Sequence, residues 1–581
     1  MARDDAASSY LGTRVALVGA LGAVLAIWAW WPMFDGSGTP LGDGRYFLHL
    51  FDTAKVSLLR YHELPLWNPY ECGGAPLWDN PESMAASPIV MLATPLSATH
   101  TVWLWNVLHL TAGFTSMWML ARMELGVSRG AAFYASAIFM FAVCNASQYA
   151  GAHTALMSFM WAPLALLLWR RAEHSPSCAV GLGLLVALLF YDGATYPIPH
   201  TALMLGLETL TRLRSRDQAK RVVVAGLLVV AVAVLVAGPR LLPLADQFRS
   251  KVRVIPPDTD ALSWSKIADM YLKANVHTQQ KINGDPYVWG EYTSYVGLIA
   301  VVLALAGCVI AAAEAPWMLV VALGLLVLML GHFASWAPWT LLTKNVFPFK
   351  SMRVPARFRL LLVGYVAMFG ALAVDRIPRR LRQFVGPRPW VDAISVALLA
   401  CALIGAGEVA AASTKLVSER FTGPPEKPVV ASTRLFYGGG DMVEYASQPR
   451  QNRGQLACRD AWAFSHGAAV WTGDLPQARA TDDGANVMVA NRTQNTFDVD
   501  VEVTRPTRIV LNSGYERGWR ASVGTVADQA KLLAVDLPPG HHKLHVWYWP
   551  HGLTAGFVMA ALGIALSTAV LARKRIFKER A

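Results

Sequence analysis

The feature that most constrains this chain is a recurrence of apolar runs, each near the length that crosses a lipid bilayer, separated by short clusters of Lys and Arg. A helix of about 20 apolar residues spans the hydrocarbon layer because it satisfies its own backbone polar groups. About twelve helices are expected, near 14–33, 100–121, 131–145, 155–169, 178–191, 199–211, 221–239, 293–312, 316–332, 358–375, 391–411 and 551–572. Several fall short of a full span, so they extend into loops, tilt, or rest on neighbours. With 54% hydrophobic and 15% charged residues in 581, the chain is too apolar for an ordinary soluble protein. The first run is read as a span rather than a cleaved leader, because no small-residue cleavage site follows it.

The formal charge of +12 lies in short clusters between apolar runs, which points to membrane lipids as partners and to no nucleic acid. With the N-terminus inside, the inner loops carry Arg122 and Arg129, Arg170 and Arg171, the 212–221 cluster and the 376–388 cluster. The tail adds Arg573, Lys574, Arg575, Lys578 and Arg580, whereas the outer connections 145–154 and 191–199 hold no Lys or Arg. Both termini are therefore expected in the cytoplasm. Large outward segments follow at about 32–88, 240–292 and 412–550. The division expected is 1–411 membrane domain with outward loops, 412–550 outward β-rich domain, and 551–581 last span and basic tail. The fold class expected is an α-helical polytopic membrane protein with a C-terminal β-sandwich-like domain. Within 496–504 apolar residues alternate with acidic ones, and four further segments, 508–513, 519–523, 531–537 and 542–549, follow between Gly and Pro turns.

The outward segments carry the chemistry. Asp43 sits in Gly42-Asp43-Gly44-Arg45-Tyr46, just beyond the first span. The block Glu63-Leu64-Pro65-Leu66-Trp67-Asn68-Pro69-Tyr70 mixes aromatic faces with amide and carboxylate groups, the combination that holds a sugar. His153, at an outer helix junction, is a candidate partner for sugar or phosphate. Glu291 and Tyr292 open the eighth span with a second outward carboxylate. Lys350, Arg353, Arg357 and Arg359 break the inside-positive rule and gather four cations at a helix mouth. Arg makes fork-like, permanently charged contacts to phosphate. Arg240 is a second outward cation of that type. The six cysteines lack metal-site spacing, and whether Cys72 and Cys458 pair stays open. No P-loop, zinc-hydrolase motif or nucleophile elbow stands out, and nothing points to ATP, haem or a redox cofactor.

Taken in order, Gly42-Asp43 with its following aromatic, the 63–70 block, Gly73-Gly74-Ala75-Pro76, Asn80-Pro81-Glu82-Ser83, Trp161-Ala162-Pro163-Leu164, Leu241-Leu242-Pro243, Tyr295-Val296-Gly297 and Arg353–Phe358 resemble the bacterial YfhO-like membrane proteins. Tyr515, Gly518, Trp519 and Pro538–Gly540 resemble the β-rich end of that family. The resemblance runs from about residue 30 to 550 and implies the GT-C superfamily of integral-membrane glycosyltransferases. Such enzymes transfer a sugar from a polyprenyl-phosphate donor to a cell-envelope glycan, lipid or protein acceptor on the outer face of the bacterial inner membrane. It also implies that Asp43 is the catalytic acid residue, although Asp43 has no acidic neighbour; Asp52 and Glu63 are the nearest. The roles expected are Asp43 as base or acceptor-orienting group; Lys350, Arg353 and Arg357 on the donor phosphate; and Glu63, Asn68, His153, Glu291 and Tyr292 on substrate. No cofactor is demanded, though a divalent metal could sit beside the phosphate. The alternatives are a transporter or flippase of lipid-linked saccharides and a non-catalytic scaffold for the β-rich domain.

Overall fold

The computed structural model describes residues 2–35, 38–40, 43–151, 153–250, 260–274, 280–281, 285–423, 431–438, 442–456, 458–459 and 469–580. A helix falls within each of the twelve apolar runs, and among the described residues seven helices are long and apolar enough to cross a membrane. Two of those seven, Arg129–Tyr149 and Pro355–Val385, have most of their apolar stretch buried inside the protein. The others keep apolar side chains on the outside: Leu298, Val302, Leu305 and Val309 line one face of Gly297–Glu314 and are all exposed. An uncovered apolar stripe of that length is stable only against lipid.

Small residues set the closest crossings. At Gly307 an added Cβ would lie 1.9 Å from the Phe369 carbonyl oxygen, so only Gly lets Gly297–Glu314 meet Arg359–Val385. The Arg129–Tyr149 segment breaks at Ala142, where the Val143 amide donates to the Tyr295 carbonyl and Asn145 Nδ2 donates to Phe139 O at 2.6 Å. Those bonds replace the helical ones that the break removes.

The stretch expected as a first outward loop contains a helix, Gly44–Arg60, with Tyr46, Phe47, Leu48, Leu50 and Phe51 buried. Asp43 occupies the position before its first residue. Near the C-terminus, two four-stranded antiparallel sheets form. One runs Thr525–Gln529, Leu532–Leu537, Thr507–Gly514, Ala478–Ala480; the other runs Ala485–Arg492, Thr496–Val503, Gly540–Tyr548, Trp519–Ala521. The alternation in 496–503 is realised: Phe497, Val499, Val501 and Val503 are buried, while Asp498, Asp500 and Glu502 point away from that core. Three of the eight strands, at 478–480, 485–492 and 525–529, were not anticipated from the pattern.

One core unites both sheets with the 63–78 loop. Leu66, Trp67 and Trp78 pack with Phe497, Leu511, Val535 and Val546. The fully buried Trp67 ring lies 5.1 Å from Trp519 and 4.7 Å from Tyr548. Asp79 is buried beneath the second sheet and accepts hydrogen bonds from Tyr548 Oη at 3.0 Å and Gln247 Nε2 at 2.6 Å. The sheets are thus bound to the first outward segment by both packing and polar contacts.

Candidate functional site

Asp43 lies at the start of helix Gly44–Arg60, yet its side chain makes no capping bond and is 78% exposed, into a pocket. The helix terminus favours its charged form. His153 Nε2 stands 3.3 Å from Asp43 Oδ2. His153 Nδ1 meets Gln148 Oε1 at 3.0 Å, and Gln148 Nε2 donates to Glu291 Oε2 at 3.0 Å. Arg357 closes the series: its Nε and Nη2 donate to Glu291 at 3.2 and 2.5 Å. Five side chains from four separate stretches of sequence therefore form one hydrogen-bonded line running from Asp43 to Arg357. Both His153 ring nitrogens face oxygen acceptors, so the ring can hold a proton at either.

The electrostatics follow from these contacts. The hydrogen bond from His153 holds the Asp43 carboxyl below its usual range; burial opposes this, while Arg459 adds to the lowering. Burial pushes the Glu291 carboxyl up, but the charge and hydrogen bonds of Arg357 outweigh it and bring it down to about 2. Both carboxylates are ionised at neutral pH.

The pocket is about 380 Å³ and is lined by Asp43, Tyr46, Phe47, Glu82, His153, Thr195, Tyr196, Arg353, Arg357 and Arg459 among others. Glu82, Thr195 and Tyr196 are shared with a neighbouring cavity of about 580 Å³, whose walls are mostly apolar: Phe190, Ile198, Pro199, Leu241, Leu244, Phe248, Phe347 and Met352. Tyr196 stands at the junction, its ring 4.4 Å below the Arg357 guanidinium and its hydroxyl accepting from the Arg353 amide at 3.3 Å. Val354, between the two arginines, has φ +62°. A β-branched residue held there is strained, and Val354 also precedes Pro355, which restricts it further. Strain of this kind is retained only where the surroundings fix it, and here it turns the chain between the two cations.

Of the residues singled out from sequence, Asp43, His153, Arg353 and Arg357 line this pocket, and Glu291 lies directly behind it. Lys350 is exposed and lines neither cavity. Glu63 sits elsewhere: it accepts from Thr493 Oγ1 at 2.7 Å and from the Asn495 amide at 3.3 Å, tying the first outward segment to the second sheet. Asn68 is buried between His49 Nε2, 3.2 Å away, and the Tyr70 amide at 3.0 Å. Tyr292 is fully buried, donating to Asp260 at 3.1 Å beneath the Lys266 ammonium. The 63–70 block is thus folded inward, because its Trp and Leu find a larger apolar partner in the sheets than a sugar ring offers.

Two of the cations are structural. Arg359 is fully buried and donates to the Gly290 and Thr293 carbonyls at 3.0 and 3.1 Å. Arg240, also fully buried, donates to Ser83 O at 2.7 Å and to Asn80 O at 2.5 Å. Sequence reasoning missed Glu82, Tyr196 and Arg459 as pocket residues. Glu82 belongs to a motif already singled out, Asn80–Ser83, and Tyr196 to the outer connection 191–199, whereas nothing local marks Arg459. Among the described residues, no three of His, Cys, Asp and Glu converge as metal ligands.

No family model and no curated protein matches the chain. Among solved structures it is similar to the arabinofuranosyltransferase AftD from Mycobacteria, at 19% identity and TM-score 0.41, over 71% of this chain and 28% of that one. It is similar also to the oligosaccharyltransferase of Archaeoglobus fulgidus, at 11% identity and TM-score 0.44, over 77% and 64%. A third is ArnT from Cupriavidus metallidurans bound to undecaprenyl phosphate, at 12% identity and TM-score 0.45, over 75% and 89%. The chain thus spans less than two thirds of the first two. Likenesses this loose assign no role to any residue here.

Proposed function

We propose that this chain is a membrane glycosyltransferase that moves a sugar from a polyprenyl-phosphate donor to a cell-envelope acceptor, working on the extracytoplasmic face of a bacterial inner membrane with both termini cytoplasmic. The observation that carries this reading is the joining of two cavities. A polar pocket with an exposed carboxylate and arginines opens into an apolar groove, as a ligand with a charged head and a hydrocarbon tail requires. The tail would lie along Phe190, Leu241, Phe248 and Met352, the phosphate at the arginines, and the sugar toward Asp43. The Cys72–Cys458 bridge, close to the pocket, fits an oxidising compartment.

In the reaction the acceptor hydroxyl oxygen attacks the anomeric carbon, and the bond from that carbon to the phosphate oxygen breaks. The electron pair leaves with the prenyl phosphate, whose charge the arginines stabilise. The acceptor proton passes to the Asp43–His153 pair. A carboxylate held below its usual range is a weak base at neutral pH. Asp43 therefore serves chiefly to orient the hydroxyl, with His153 beside it to share the proton. Among the described residues no three metal-ligating side chains converge here, so a divalent metal held by Asp43 and His153 would need the donor phosphate to supply its other ligands.

The test is sugar transfer by the purified chain in nanodiscs, with a panel of polyprenyl-phosphate sugars and wild type beside Asp43→Asn. Release of polyprenyl phosphate by wild type alone is expected. Movement of lipid-linked sugar across a vesicle membrane without release would replace this reading by the flippase.

A further inference from the structure

Three arginines line the polar pocket, and they are not equivalent. Arg357 has its charge engaged by Glu291 through two hydrogen bonds. Arg353 and Arg459 form no ion pair with a carboxylate among the described residues, and Arg459 Nε is buried with no hydrogen-bond partner among them. Arg459 is also the only one of the three that comes from the C-terminal region rather than from the edge of a membrane helix.

Its placement is built from both sides. The Gln455 amide donates to Tyr70 O at 3.2 Å, and the Gly73 amide donates to Gln455 O at 3.1 Å. The Arg459 amide donates to Glu71 Oε1 at 2.7 Å, and its guanidinium lies 5.1 Å over the Tyr445 ring. Between these contacts, Cys458 is bridged to Cys72 across 386 residues of sequence. A bridge, two backbone bonds and a carboxylate on one amide hold a long side chain that is otherwise costly to order.

We infer that Arg459 is a further anion-binding residue of this pocket, held in place by the Cys72–Cys458 bridge, so that the site is shared between the membrane helices and the C-terminal region. The anion it takes is a phosphate or diphosphate group, which a guanidinium meets in a planar fork. That the phosphate belongs to a prenyl lipid rests on the function proposed above; that an anion binds here does not. The influence of Arg459 on the Asp43 carboxyl agrees with both facing one space.

The experiment is binding to the full chain in detergent, with farnesyl phosphate, farnesol and inorganic pyrophosphate as probes. Arg459→Gln is expected to weaken farnesyl phosphate and pyrophosphate about tenfold or more, the range of a charge-assisted hydrogen bond, and to leave farnesol unchanged. Arg459→Lys should lose less, and Cys72→Ala with Cys458→Ala should fall between the two. Farnesol binding at wild-type strength serves as the check that each variant is folded. Pyrophosphate weakened by Arg459→Gln, with no farnesyl phosphate binding even in wild type, would support the anion site and remove the lipid reading. Wild-type affinity of Arg459→Gln for both anions, or no binding of either anion by wild type, would overturn the inference. Full affinity in the double cysteine variant would overturn the role of the bridge.

Discussion

Replacing Glu291 with Gln probes the most tightly coupled pair in the site. The Glu291 and Arg357 side chains are only 14% and 10% exposed, and two hydrogen bonds join them. Gln keeps the shape and one acceptor but removes the charge, leaving a largely buried guanidinium without its counter-ion. Removing one member of a buried pair costs about 3–5 kcal/mol. An independent route gives a similar figure. The carboxyl moves from an ordinary 4.5 to about 2 on folding, which corresponds to about 3 kcal/mol. Because the folded value is the lower one, this stability is fully present above pH 4.5 and is lost as pH falls through about 2. Chemical denaturation in detergent at pH 7 should therefore show Glu291→Gln weakened by about 3 kcal/mol, with the gap to wild type closing toward pH 2. Arg357→Gln should be weakened similarly, and the double variant by much less than the sum. Losses that add to within about 0.5 kcal/mol would refute the coupling.

Removing the imidazole in His153→Ala takes away the largest influence holding the Asp43 carboxyl low, so that carboxyl should rise. If Asp43 works ionised, the acid limb of the kcat/KM profile moves to higher pH; an unmoved limb would separate the two residues. Asp79→Asn acts in the opposite sense on stability. Burial raises the Asp79 carboxyl to about 6, so the wild type loses stability as pH rises through that value. The variant's stability relative to wild type should improve as pH rises from about 4 to about 6 and stay level above that in the same denaturation assay. Gly74→Ala should lower stability by about 1–3 kcal/mol. Its φ is +112° and an added Cβ would lie 2.7 Å from Ser513 Oγ and 2.8 Å from the Trp67 ring. A wild-type denaturation midpoint would show that the 63–78 loop can move off the sheets.

Local sequence carries the periodic part of this protein. Apolar runs give helices because the backbone has no other way to satisfy itself in lipid, and strict alternation in 496–503 gives a strand with one wet face. Asp43, His153, Arg353 and Arg357 were legible as candidates because charged and polar groups at a membrane edge are costly to keep without a use. Composition misled at 63–70. A loop rich in Pro, Trp, Asn and Glu suits a sugar, yet the same residues suit burial, and the choice lay with partners such as Thr493 and Trp519, more than 400 residues away. Arg240 and Arg359 look like Arg353 in a list of outward cations; only the tertiary structure surrounds them with carbonyl oxygens. Arg459 had no local signal at all, because its position depends on the pairing of Tyr70–Gly73 with Gln455–Arg459 and on a bridge across 386 residues. Periodicity reports which face of an element is apolar, and so the sequence by itself determined the helices and the alternating strand. Which distant surface covers that face, and which charges it leaves exposed in the pocket, is set by long-range packing, and that only the tertiary structure decided.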